Sequence, residues 1–316
     1  MGELNTLSNT SFENRGIEKM LSYGQLCIEE GYGFRCLNQY LSDIELMRSG
    51  APYSSLGISK RREAGMPAIV KVSASSYDIV SDPYILRNEK LTPKGSIALL
   101  RLEGVMNSQD DASSYGVQNM AQQLRYAYAN NNIEAVIIEG NSGGGEVTAM
   151  QIMVGAIQER NKPVIGFGHF VASAAYGTFA ATDEVIASDA MAEFGSIGAV
   201  ITINKEFLAW YKETFESFYG KDAPLKNEAM REALKDNFQP IQDLADKATT
   251  QFHDMVSALR PLNGGDAYRK STLSGKMFDA NEAKRRGLID GIGNMAYAVK
   301  RAQQWANKYK SKKQKS

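Results

Sequence analysis

The chain has 316 residues, 43% of them hydrophobic and 23% charged, ordinary proportions for one large α/β domain plus an appendage. Lys plus Arg and Asp plus Glu stand at 36 each, so net charge marks no nucleic-acid surface. Two cysteines, Cys27 and Cys36, are too few for a disulfide framework or a zinc site and read as reduced thiols suited to the cytoplasm.

Residues 1–93 have a texture of their own. The N-terminal MGELNTLSNTSFENRG lacks the apolar centre of a signal peptide. No run of about 18 apolar residues follows anywhere. A soluble protein that stays inside a cell is therefore expected. Patches of IEKMLSYGQLCIEEGYGFRCLNQYLSDIELMRSG have helical spacing, and APYSSLGISKRREAG has loop composition. A partly helical N-terminal extension is expected here, ending at the punctuation Thr92-Pro93-Lys94-Gly95.

From residue 94 to about 300 the pattern changes. SIALLRLEGVM reads as a strand, GVQNMAQQLRYAYANNN as a helix, and AVIIEG as a second, buried strand. NSGGG then leads into the helix VTAMQIMVGAIQERN. PVIGFGH is a third strand, with the small-residue segment VASAAYGTFAA behind it, and EVIAS is a fourth. Strands alternating with helices of this length predict parallel βαβ units. Beyond Gly195 the pattern loosens. EAMREALKDNFQPIQDLADKATTQFHDMVSALR reads as a long helical stretch interrupted near Pro240, and AYAVKRAQQWANKY as a last helix. Residues 301–316 are set apart as a basic C-terminal tail whose end, KSKKQKS, is a solvated terminus or an electrostatic docking handle.

Ser173 stands where the third strand turns sharply into its helix. That position faces unpaired backbone N–H groups at the positive end of the helix dipole, and the flanking alanines leave the hydroxyl approachable. A nucleophile or a tight packing device fits this description. Asn141-Ser142-Gly143-Gly144-Gly145 lets the backbone approach a ligand and turns N–H groups outward. A phosphate cradle, an oxyanion hole and a plain turn all remain open, although the GxGxxG and P-loop patterns are absent.

A serine needs a base. His169 lies four residues before Ser173, and His253 sits in a helical stretch; neither has the partners of a triad. A lysine serves instead if burial leaves it neutral. Lys226, after a turn with Gly220 and Pro224, is well placed on a loop, and Lys221 is its near rival.

The order strand–NSGGG–helix, strand–VASAAY–helix, EFGSIGAV and KMFDANEAKRRGLIDGIG resembles the signal peptide peptidase A family of serine peptidases. The likeness runs from about Ile97 to Met295. It implies an α/β fold of the Clp-protease/crotonase type, a spiral of βαβ units behind the partly helical extension. It also implies a Ser-Lys dyad that needs no metal or cofactor. Carried over, the nucleophile falls on Ser173 and the base on Lys226, with Lys221 as the alternative. The oxyanion donors fall on Gly144, Gly145 and the N–H of Ala174, and Ser196 in the GSIG turn would orient the lysine. Two departures stand out. The family usually has proline at the position of Gly143, and glycines at those of Ala174 and Ala175.

A soluble chain with an added N-terminal region looks most like the phage head-maturation members, which cleave scaffold and capsid polypeptides. A cytoplasmic housekeeping peptidase, an inactive scaffolding oligomer of the same fold, and an acyl-CoA enzyme using Glu146 are the rivals. The resemblance further implies a homo-oligomer, in which serine and lysine can come from neighbouring subunits. The small side chains around Ser173 predict a preference for small or modest apolar residues before the cleaved bond.

Overall fold

The structure, a computed structural model, describes residues 26–28, 66–73, 76–109 and 116–313. Cys36, the polar N-terminus and most of the expected helical patches lie outside the described residues. In chain order the elements begin with β1 (Leu26–Ile28), β2 (Ala68–Val72), β3 (Tyr77–Ser81) and β4 (Ser96–Met106). Then α1 (Val117–Ala129), β5 (Ile133–Glu146), α2 (Val147–Gln158), β6 (Val164–Ala172), α3 (Ala174–Ala180) and β7 (Glu184–Ala187) follow. After β8 (Glu193–Gly195) come α4 (Lys205–Thr214), α5 (Glu228–Ala233), α6 (Gln239–Leu259) and α7 (Asp266–Thr272). The last elements are β9 (Met277–Asp279), α8 (Ala280–Arg286), β10 (Gly291–Ile292) and α9 (Met295–Lys313).

One mixed sheet carries these strands in the order β10-β7-β6-β5-β4-β2-β3. β4, β5, β6 and β7 are parallel neighbours in sequence order, so the expected βαβ units are present. Crossovers of one hand that always step in the same direction put every connecting helix on the same face. The side chains obey this. Ala98, Leu100, Val136, Ile138 and Val164 pack with α1, α2 and α3, while Ile97, Leu99, Ala135, Ile137 and Ile165 point the other way. That second face is covered by α9, whose Ala298, Ala302 and Ala306 recur every four residues and let the helix lie close to the strands. Strands covered on both faces are apolar throughout, which is why AVIIEG and PVIGFGH read as continuous runs.

Several expectations are corrected. The expected boundary at residue 93 does not divide the sheet: β2 and β3 precede it, and β2 pairs antiparallel with β4. Ala68, Ile69 and Val70 are fully buried, because they cover the edge that β4 would otherwise expose. The described part of the extension is thus strands and one 3₁₀ turn, Ile85–Arg87, rather than helix. NSGGG is not a loop after β5 but its last third. α4 was not anticipated; it is started by Asn204, whose side chain accepts from the Phe207 N–H. The separation of 301–316 as a tail also fails, since α9 continues to Lys313. Arg301 and Trp305 bond Glu184, Tyr309 bonds Asp183 and Lys310 bonds Glu134, anchoring this helix to the sheet. The break expected near Pro240 is real: α5 ends at Ala233, and Pro240 stands in the first turn of α6, where its missing N–H costs nothing.

Candidate active site

Ser173 forms the junction between β6 and α3 and is 1% exposed, so the approachable hydroxyl expected from its small neighbours is instead buried under the packed strand–helix turn. Its backbone has φ 55 and ψ −122, a region that a side chain makes costly by about 1–3 kcal/mol. The neighbouring structure holds it there. The Ser173 N–H donates to the Gly195 carbonyl at 2.8 Å, and the Ser173 carbonyl accepts from the Gly177 N–H at 3.0 Å. Its hydroxyl makes no capping bond. The bond from Gly177 closes the first turn of α3, so the N–H groups of Ala174, Ala175 and Tyr176 are the donors a helix leaves without intrahelical partners.

The position of α3 follows from glycines beneath it. A Cβ on Gly140 would stand 2.5 Å from Phe179 Cζ, and one on Gly166 2.6 Å from Phe179 Cδ1. Those two bare positions on β5 and β6 let the Phe179 ring lie directly on the sheet. At the other side, the buried Tyr176 hydroxyl donates to the Leu288 carbonyl at 2.9 Å. Burial raises the Tyr176 phenol well above its ordinary value. The buried Arg260 guanidinium bonds Asp290 at 2.9 Å and the Gly287 carbonyl at 3.3 Å. The segment FDANEAKRRGLIDGIG therefore braces the serine helix. Within it, Asp279 caps α8 through the Glu282 N–H, and Gly287 ends that helix in the left-handed conformation.

The Gly-rich stretch adjoins this junction through the sheet register. Asn141 pairs with Phe170 and Ser142 with Val171, the last pair of the two strands, and Gly144 and Ser173 each lie two residues beyond it. Ser142 is buried. Its Oγ donates to the Gly104 carbonyl at 2.6 Å and accepts the Gly144 N–H at 3.2 Å. Gly145 lies against Met106, where a Cβ would collide with the Met106 carbonyl, and its φ of 159 leaves it nearly extended. Glu146 is held by Ser108, whose backbone N–H donates at 2.9 Å and whose hydroxyl bonds the same carboxylate oxygen.

The predicted site residues divide into two sets. Ser173, Ala174, Gly144 and Gly145 all follow the last β5–β6 pair by two or three residues. Lys221 and Lys226 lie exposed on the segment between α4 and α5, and among the described residues no hydrogen bond joins either to Ser173. Ser196 is half-buried with φ 53; its N–H donates to the Lys276 carbonyl at 2.9 Å. His169 pairs with Glu139 at 3.3 Å and contacts the Phe167 ring edge, while His253 approaches the Ile197 carbonyl at 3.3 Å. Neither histidine bonds Ser173. Sequence reasoning missed Ser142 and Gly195 as supports of the junction. Both stood inside the quoted motifs NSGGG and EFGSIG, but only three-dimensional pairing reveals what they hold.

The model for peptidase family S49 matches residues 156–309, nearly half of the chain, a span that includes Ser173 and both lysines but not the Gly-rich stretch. Protease 4 of Haemophilus influenzae is 28% identical over 230 residues, covering 70% of this chain and 36% of that protein. The Arabidopsis thaliana protein named serine protease SPPA, chloroplastic, is 26% identical over 220 residues, covering 67% of this chain and 31% of that protein. The chain thus spans about a third of the length of these two curated relatives. Among solved structures, a mutant of the 1510-N membrane-bound stomatin-specific protease aligns with TM-score 0.43 and 14% identity. That alignment covers 67% of this chain and 84% of the other. Over these spans the chain is similar to peptidase family S49 and to the two curated proteases. No helix among the described residues is long and apolar enough to cross a membrane.

Proposed function

We propose that the chain is a serine peptidase in which Ser173 attacks a peptide carbonyl with a lysine as base. The observation that carries this reading is the strained, buried Ser173 backbone at a strand–helix junction, beside helix N–H groups that no intrahelical bond uses. A conformation this costly persists where neighbouring structure enforces it, and such positions cluster at reaction centres. The match to family S49 agrees with it.

In this mechanism Lys226 takes the proton of the Ser173 hydroxyl as its oxygen bonds to the scissile carbon. The resulting oxyanion is held by the Ala174 N–H and by the Gly-rich strand at Gly145, the expected donor at Gly144 being already bonded to the Ser142 hydroxyl. Each such donor is worth about 3–4 kcal/mol in the transition state. The protonated lysine then gives its proton to the amine as the C–N bond breaks; water, losing a proton to the same lysine, attacks the acyl carbon, and the lysine returns that proton to the departing Ser173 oxygen. Lys221 is the alternative base, and Ser196 orients the amine.

The lysine reaches Ser173 from a neighbouring copy in a homo-oligomer. Two features support this: Lys226 is exposed, and the chain segment that leads to it carries unburied apolar side chains. Trp210 is 50% exposed, Phe215 49%, Phe218 92% and Leu225 68%. Exposed apolar clusters of this kind mark contact surfaces. The substrate is an extended polypeptide with small or modest apolar residues before the cut. The finer reading is processing of scaffold or capsid polypeptides in phage head maturation, supported by the N-terminal region that precedes the βαβ core.

Mixing variants tests the whole reading. Ser173→Ala and Lys226→Ala should each abolish hydrolysis of a denatured protein substrate, and co-refolding the two should restore a fraction of it. Retained turnover in Ser173→Ala would refute the nucleophile. Retained turnover in Lys226→Ala with loss in Lys221→Ala would move the base. No recovery in the mixture would confine the dyad to one chain.

A further inference from the structure

The far end of β5 has two backbone edges, and both are occupied. On one side Val105 and Met106 of β4 pair in parallel with Gly144 and Gly145. On the other side β6 pairs with β5 only as far as Ser142 and Val171, and the two strands then part. β1 takes over where β6 leaves. Leu26 pairs with Glu146, Cys27 with Gly145 and Ile28 with Gly144, antiparallel. Gly144 on β5 and Ser173 after β6 each stand two residues beyond the last β5–β6 pair, so this three-residue segment occupies the β5 edge where β6 turns away into the serine junction. An extended polypeptide that adds a strand to this edge would need the same N–H and C=O groups.

We propose that Leu26–Ile28 is an intramolecular occupant of the peptide-binding edge, an autoinhibitory strand that an incoming polypeptide must displace; this rests on the peptidase reading above. Two physical features fit a displaceable occupant. Three residues form few ladder bonds, each contributing about 0.5–1.5 kcal/mol net, so the strand can leave. Its covalent tether nevertheless presents it at an effective concentration on the order of millimolar, well above that of a dilute substrate. β1 thereby acts as a competitor built into the chain.

The test uses the full chain with Cys27→Pro and, separately, Ile28→Pro. The two positions have opposite hydrogen-bonding parity, so one of them must remove an N–H that faces β5. Hydrogen exchange at the amides of Gly144–Glu146 should be at least about tenfold faster in one variant than in the parent. For peptide hydrolysis, KM should fall about tenfold with kcat unchanged, the signature of removing a competitor. Unchanged exchange in both variants would overturn the pairing. Faster exchange with unchanged KM would overturn the inhibitory role.

A third arm separates this proposal from the peptidase reading. In a Ser173→Ala background, a fluorescent peptide of residues 22–32 is titrated against each form and followed by anisotropy. Saturable binding to a proline variant, at least about tenfold tighter than to the Ser173→Ala chain without it, supports the occupant even if no form hydrolyses any peptide. Equal binding to all forms overturns it.

Discussion

The Ser173 N–H donates to the Gly195 carbonyl at 2.8 Å, and that bond carries the parallel β6–β8 pairing on to the Gly195–Ser196 turn. Gly195 cannot be replaced there, because a Cβ would collide with the Lys276 carbonyl. The junction is thus clamped by backbone from β8 and from the segment preceding β9. A side chain is forced into a backbone region suited to glycine, and four consequences can be measured.

Ser173→Gly and Ser173→Ala should both be inactive, yet differ in stability. Alanine keeps the Cβ and therefore the strain of about 1–3 kcal/mol. Glycine relieves it, offset by its own unfolded-state entropy of about 0.5–1 kcal/mol. Chemical denaturation is expected to find the glycine variant more stable by about 1 kcal/mol. Equal stabilities would contradict a strained junction.

Gly166→Ala should destabilise by about 1–3 kcal/mol, since its Cβ would press on Phe179 at 2.6 Å. In a Phe179→Leu background the same change should cost at least about 1 kcal/mol less, read from a double-mutant cycle. Additive effects would show that α3 is not seated on the sheet through this ring.

Tyr176→Phe should cost about 1–3 kcal/mol by leaving the Leu288 carbonyl without its buried donor. Asp290→Ala should cost more, about 3–5 kcal/mol, because the buried Arg260 guanidinium loses its carboxylate. Denaturant midpoints check both. A neutral Asp290→Ala would contradict the bracing role of the C-terminal segment.

Ser142→Ala should lower stability by about 1–3 kcal/mol, since its hydroxyl serves both the Gly104 carbonyl and the Gly144 N–H. If the Gly-rich strand holds the oxyanion, kcat falls more than KM rises. A change confined to KM would place Ser142 in substrate binding instead.

Much of this architecture was legible in the chain. The run of apolar strands alternating with helices announced parallel βαβ units because doubly covered strands have no polar face to interrupt them. Ser173 was visible because small residues after an apolar strand are where a tight strand–helix turn fits. The remainder was hidden for definite reasons. β2 lies before the Pro93–Gly95 punctuation and joins the sheet only through long-range pairing with β4. NSGGG looked like a loop because glycine disfavours strands, whereas β4 on one side and β1 on the other hold it extended. β1 was invisible: three residues inside a helically spaced stretch carry no strand signal of their own. The exposed lysines could be singled out only by resemblance, since many lysines are available and nothing in their spacing marks one as a base.

The most direct measurement of the central claim is covalent labelling of the native protein with a fluorophosphonate, followed by peptide mapping. A single adduct on Ser173, absent in Ser173→Ala and slowed at least tenfold in Lys226→Ala, is the expected result. Adducts elsewhere, or none on Ser173 in a folded and concentrated sample that also hydrolyses no peptide, would contradict it.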